Sequence, residues 1–156
     1  NLETVYKDGT NVTARFNMQL AAFYGGAAFT RACVGYVHGV AHTLGGLYGT
    51  PHGLANAVIL PYVMEEFGSA VYYKLARLAE AVGINGKDDE EKAKAFIREI
   101  RRMNADMKIQ DKFDFIKDED VPQMIKWAMK EANPIYPVPV LWHEPEFTAL
   151  ISKIRK

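Results

Sequence analysis

Three of the chain's four histidines lie in one apolar, glycine-rich stretch. His38 and His42 stand in Val37-His38-Gly39-Val40-Ala41-His42-Thr43-Leu44-Gly45-Gly46, and His52 follows in Gly49-Thr50-Pro51-His52-Gly53. The spacing of four puts His38 and His42 one turn apart on the same face of a helix. A glycine break then lets His52 fold back toward them from the start of the next helix. Neutral imidazoles converging where water is scarce suit iron, zinc, copper or nickel. No carboxylate accompanies them in this stretch, so these residues offer only part of a ligand set. Spacing alone leaves His38 and His42 as equal candidates for a metal.

The elements that must position these rings read as helices. Asn11 or Thr13 caps a helix starting near Val12 and running to about Phe29. Its patch Gly25-Gly26-Ala27-Ala28 predicts close helix–helix approach. A second helix spans about Val34 to Leu44, stopped by Gly45-Gly46. A third, Gly53 to Phe67, is apolar on all sides and so reads as central and buried. Pro61 predicts a kink there, or a restart after Leu60. Ser69 caps a helix over Ala70 to Val82 with a buried stripe of Val71, Leu75, Leu78, Ala79 and Val82.

Asp88 or Asp89 opens a long amphipathic helix with Ala93, Phe96, Ile97 and Ile100 inward. Its charged residues, Arg101 among them, read as a solvated face. Asp118 to Ala132 forms a further helix with Pro122 in its first turn. Pro134, Pro137 and Pro139 then impose an extended connection, and a terminal helix covers Pro145 to Ile154. With no strand pair and no internal repeat, the fold class is all-α, a single domain over residues 1–156.

Composition narrows the function classes. Nineteen basic and nineteen acidic residues cancel, so the chain carries no electrostatic footprint for a nucleic acid or a membrane surface. No apolar run approaches the roughly 20 residues that span a bilayer. The single cysteine, Cys33, excludes an internal disulfide framework, fits a reducing cytoplasm and reads as a small buried hydrophobe. Phe23, Tyr24, Tyr48 and Tyr62 read as core. Asn56, polar within a buried run, is expected to satisfy a nearby backbone group, and His143 to lie at the surface. The opening Asn1-Leu2-Glu3-Thr4-Val5-Tyr6 reads like the middle of a longer chain.

The pattern His-x3-His-x9-His, set in HGVAHTLGGLYGTPHGLANAVILPYV, resembles the C-terminal signature of the iron-containing alcohol dehydrogenases. Ala28-Phe29-Thr30-Arg31-Ala32 and Asn133-Pro134-Ile135-Tyr136-Pro137-Val138-Pro139 are similar to the same family, so the resemblance covers nearly the whole chain. It implies an all-helical bundle of the dehydroquinate synthase-like kind, truncated at its N-terminus, with the α/β nucleotide-binding domain absent. It further implies Fe2+, with Zn2+ as the alternative metal, and NAD or NADP held mainly by the absent domain. The family's ligand set is one aspartate and three histidines. Carried over, His38 and His52 match the second and third histidine ligands, while His42 matches the non-ligand histidine beside the metal.

On that resemblance the intact protein oxidises a small alcohol, or reduces an aldehyde or ketone, by hydride transfer. It is a cytoplasmic homo-oligomer, and these 156 residues alone are expected to be inactive. Two rival readings remain: a zinc enzyme similar to glycerol dehydrogenase, and a non-catalytic helical module that retains the motif. No Gly-x-Gly-x-x-Gly fingerprint for a dinucleotide follows a strand in these residues.

Overall fold

The computed structural model describes all 156 residues, Asn1–Lys156. They form eight α-helices and a short 3-10 turn, with no β-strand. An isolated bridge ties Phe113 to the C-terminal segment: Phe113 N–H donates to the Ile154 carbonyl at 2.8 Å, and Lys156 N–H donates to the Phe113 carbonyl at 2.9 Å. No helix is long and apolar enough to cross a membrane. The chain divides into two compact units, residues 1–34 and 35–156.

The first unit holds α1 (Leu2–Lys7) and α2 (Val12–Ala32). Asn11 caps α2 as its side-chain chemistry predicts, with Oδ1 accepting from Ala14 N–H at 2.9 Å. Its small-residue patch meets no other helix of this unit. Nothing lies within 4 Å of where a Cβ on Gly25 or Gly26 would stand, and Phe16, Phe23, Tyr24 and Phe29 are exposed. Within this unit α2 packs on α1, whose 6 residues are too few to cover a helix of 21. Cys33 is exposed rather than buried, at the end of α2 with φ 59°.

The second unit carries the histidines. Its core is built by α3 (Tyr36–Tyr48), α4 (His52–Phe67), α7 (Val121–Ala132) and α8 (Glu144–Ile154), around Tyr36, Val40, Leu44, Ile59, Met124 and Phe147. Helices α5 (Ser69–Ala81) and α6 (Asp89–Asp106) pack on each other and enclose a smaller cluster of Met64, Leu75, Ala93 and Ile97. Leu78 and Val82, expected inward on α5, are exposed. The buried positions there are Leu75, Ala76 and Ala79, and Ser69 is the first helical residue rather than its cap.

Helix α3 does not stop at Gly45-Gly46. It runs on to Gly49, which sits in the left-handed region at φ 65°. There Gly49 N–H donates to the Gly45 carbonyl, the five-to-one bond that a left-handed terminus makes, and Thr50 N–H donates to the Leu44 carbonyl. Two interior glycines cost about 1 kcal/mol each in propensity, which packing along α3 outweighs. Gly39 matters for a different reason. A Cβ at that position would lie 3.5 Å from the Ala128 carbonyl and 3.6 Å from Ala132 Cβ. Small residues on both sides therefore bring α3 and α7 into close contact.

Helix α4 begins at His52 and continues through Pro61 without restarting. A proline removes the N–H that would bond the carbonyl four residues back, here Ala57. That carbonyl instead accepts from Asn104 Nδ2 of α6 at 2.8 Å. The helix thus stays continuous while a neighbour satisfies the freed oxygen. Arg101 of α6 is not a solvated decoration either. Its guanidinium lies 4.2 Å from the Tyr62 ring centroid and donates to Glu65 and Asp111.

Asp88 caps α6, accepting from Glu91 N–H at 2.8 Å. A 3-10 turn, Asp118–Asp120, precedes α7. After α7 the chain turns at once, with a cis Asn133–Pro134 bond and Tyr136 N–H donating to the Ala132 carbonyl at 2.8 Å. The connection is therefore bent at its start rather than extended throughout. His143, exposed as expected, caps α8 in a capping box with Glu146.

Two tyrosines fasten loops to this frame. Tyr48 donates to Asp120 at 2.6 Å and Tyr62 to Asp111 at 2.8 Å. Burial first, and then these carboxylate partners, hold both phenols above the ordinary tyrosine value of 10. A raised folded pKa means stability that is complete below the unfolded value and lost as pH rises through the folded one. The urea midpoint is therefore expected to fall once pH exceeds about 10, and Tyr62→Phe should flatten that fall. An unchanged alkaline slope in Tyr62→Phe would contradict the assignment.

Candidate active site

The glycine turn between α3 and α4 brings all three histidines together. Ring centroids are 5.1 Å apart for His38 and His52, 5.2 Å for His42 and His52, and 5.9 Å for His38 and His42. His38 is half-buried on α3, while His42 and His52 are more exposed. Burial first, then the neighbouring His52 and His42, hold the His38 imidazole below the ordinary histidine value, against an opposing pull from Glu131. The neutral ring, whose lone pair can bind a metal, is the favoured form.

The donor chemistry fits a first-row divalent ion. Two imidazoles sharing one tetrahedral ion through metal–nitrogen bonds of about 2.1 Å hold their centroids roughly 5–5.5 Å apart, and the 5.1 Å between His38 and His52 agrees. No group of three or more histidine, cysteine or acidic side chains in this chain forms a complete metal cage. What is present is a cluster of three imidazoles.

Distance alone does not separate the three rings, but their partners do. His42 Nδ1 lies 2.6 Å from Glu131 Oε1 on the last turn of α7. His52 Nε2 lies 3.1 Å from Asn56 Nδ2, one turn along α4. Asn56 Nδ2 also donates to the His52 carbonyl at 2.8 Å, which fixes the orientation of its amide. Asn56 therefore serves a backbone oxygen, as its place in the sequence predicts, and additionally reaches the ring of His52. Its Oδ1 is buried with no partner.

Of the aromatics expected in the core, Tyr62 lies in it and Tyr48 packs against it, whereas Phe23 and Tyr24 are exposed on α2 of the other unit. The residue that sequence reading missed is Glu131. It reads as one more charge at a helix end, and its 89-residue separation from His42 leaves no local signal.

The model of the Fe-containing alcohol dehydrogenase family, C-terminal, matches residues 1–154. A 1,3-propanediol dehydrogenase of Klebsiella pneumoniae is 40% identical over 157 residues, spanning 98% of this chain and 40% of the relative. Alcohol dehydrogenase 4 of Saccharomyces cerevisiae is 36% identical over 155 residues, again 98% of this chain and 40% of the relative. The crystal structure of a 1,3-propanediol oxidoreductase superposes with a TM-score of 0.90 at 36% identity, covering 99% of this chain and 41% of that one. The chain thus spans about two fifths of the length of these relatives. The chain belongs to the iron-containing alcohol dehydrogenase family and corresponds to its all-helical C-terminal part.

Proposed function

We propose that these residues are the metal-binding helical part of an NAD(P)-dependent alcohol dehydrogenase. The intact enzyme interconverts a small alcohol with its aldehyde or ketone by hydride transfer, as a cytoplasmic homo-oligomer. Nucleotide binding is supplied by residues outside this chain, and the 156 residues alone turn nothing over. The observation that carries the reading is the convergence of three imidazoles with ring centroids 5.1, 5.2 and 5.9 Å apart, of which His42 alone is bonded to a carboxylate.

In this reading His38 and His52 hold Fe2+ (or Zn2+) from two different helices, so the rigid α3–α4 hairpin sets their geometry. When bound, the ion supplies Lewis-acid stabilisation at the alcohol oxygen, and the nicotinamide accepts the hydride. His42 handles the remaining proton. With Nδ1–H committed to Glu131, its Nε2 takes the hydroxyl proton during oxidation and returns it during reduction. The names of the relatives make 1,3-propanediol the first substrate to test.

The test is alcohol-dependent reduction of NAD+ and NADP+ by the intact protein, before and after chelation and with Fe2+ or Zn2+ restored. Activity should vanish on metal removal and return with one of the two ions. Turnover that survives complete metal removal would overturn the proposal, as would turnover by residues 1–156 alone.

A further inference from the structure

Glu131 is the meeting point of two side-chain hydrogen bonds. Its Oε1 accepts from His42 Nδ1–H of α3 at 2.6 Å and from the Tyr136 hydroxyl at 2.6 Å. A carboxylate only accepts, so in the neutral ring the His42 proton resides on Nδ1 and the lone pair on Nε2. The contact fixes both the tautomer and the rotation of the ring.

Stability does not explain the arrangement. The His42 and Glu131 side chains are 43% and 34% exposed, and pairs that accessible contribute little to folding. The arrangement is nevertheless over-determined. The close α3–α7 packing at Gly39, Ala128 and Ala132 sets the two backbones, and the turn after α7 brings Tyr136 back onto the same oxygen.

We propose that Glu131 is a positioning residue for His42, holding it as the Nδ1–H tautomer with Nε2 free to exchange the substrate's hydroxyl proton, and that Tyr136 steadies Glu131. The inference rests on the reading of His42 as the proton-handling group. No covalent step is added. The proton lost by the hydroxyl is gained at Nε2, while the Nδ1 proton stays between His42 and Glu131.

Two measurements on the intact protein test it. With 15N-labelled histidine at about pH 8, where imidazole is neutral, long-range proton–nitrogen correlations should show His42 protonated at Nδ1. Glu131→Ala should move that proton toward Nε2. Glu131→Gln should keep it on Nδ1, since the amide oxygen still accepts.

Kinetically, Glu131→Ala should lower kcat, but by less than the about 10²–10⁴ expected for losing the acid–base group His42 itself. KM and bound metal should stay unchanged. Glu131→Gln should recover most of the rate, and Tyr136→Phe should lose less than Glu131→Ala. An unchanged tautomer in Glu131→Ala overturns the proposal, and so does loss of metal from that variant. A protein that oxidises no alcohol defeats the functional reading alone, because the tautomer measurement still decides what Glu131 does to His42.

Discussion

In the intact protein, His52→Ala and His42→Ala are expected to fail in different ways although their rings are 5.2 Å apart. His52→Ala should lower metal affinity by at least about a hundredfold, since losing only an outer-shell partner already costs 10- to 100-fold. Activity should disappear with the metal and return only in part at high metal concentration. His38→Ala should behave the same way, since the proposed site takes its second imidazole from His38. His42→Ala should keep its metal and lose about 10²–10⁴ in kcat, the range for removing a general acid–base group.

The physical basis of that contrast is the set of partners rather than the separations. His38 is half-buried and held neutral by burial and its histidine neighbours, which suits a ligand. His52 Nε2 has only a neutral amide beside it, at 3.1 Å, and an incoming ion can displace such a contact. His42 alone is fixed by a carboxylate. Metal analysis of purified variants alongside steady-state kinetics is the check. If His42→Ala strips the metal as thoroughly as His52→Ala, the division of roles is wrong.

Much of this was legible because it is local. Asn11 and Asp88 cap their helices through side-chain bonds three residues away, and such signals sit within one turn of sequence. The His38–His42 face and the turn that returns His52 are equally short-range. What misled was tertiary. Gly45-Gly46 looks like a helix stop, but the stop is the left-handed residue that completes the closing bonds, Gly49. Pro61 looks like a break, and Asn104 removes the need for one.

Leu78, Val82 and Cys33 look buried by type, yet a residue type does not say whether another element reaches it. The same limit applies within the site. Spacing could not divide His38 from His42, and the group that does so, Glu131, lies on α7 behind a long separation in sequence.

The largest stability effect is expected at Trp142, far in sequence from the histidines but fastened to the helix that carries two of them. Its indole is 2% exposed. It stacks on Tyr36 with centroids 4.7 Å apart, and it also meets Phe67 and Phe147. Its backbone N–H donates to the Tyr36 hydroxyl at 2.9 Å, that hydroxyl donates to Asn133 Oδ1 at 2.8 Å, and Asn133 Nδ2 donates to the Trp142 carbonyl at 3.0 Å. This closed set of bonds ties the start of α3 to the end of α7 and to the segment leading into α8.

Trp142→Ala removes the ring but not the backbone bonds, so its cost should be lost packing and cavity formation, about 3–5 kcal/mol. Trp142→Phe should cost less by keeping an aromatic face against Tyr36. Urea unfolding of the 156-residue chain measures both, and a loss below about 1 kcal/mol for Trp142→Ala would mean that this cluster does not anchor the helix. Because Tyr36 opens α3 two residues before His38, loosening Trp142 should also disturb the histidine geometry. Near-neutral imidazole signals of His38 and His42 are expected to broaden in Trp142→Ala well below its unfolding midpoint, while Trp142→Phe leaves them sharp.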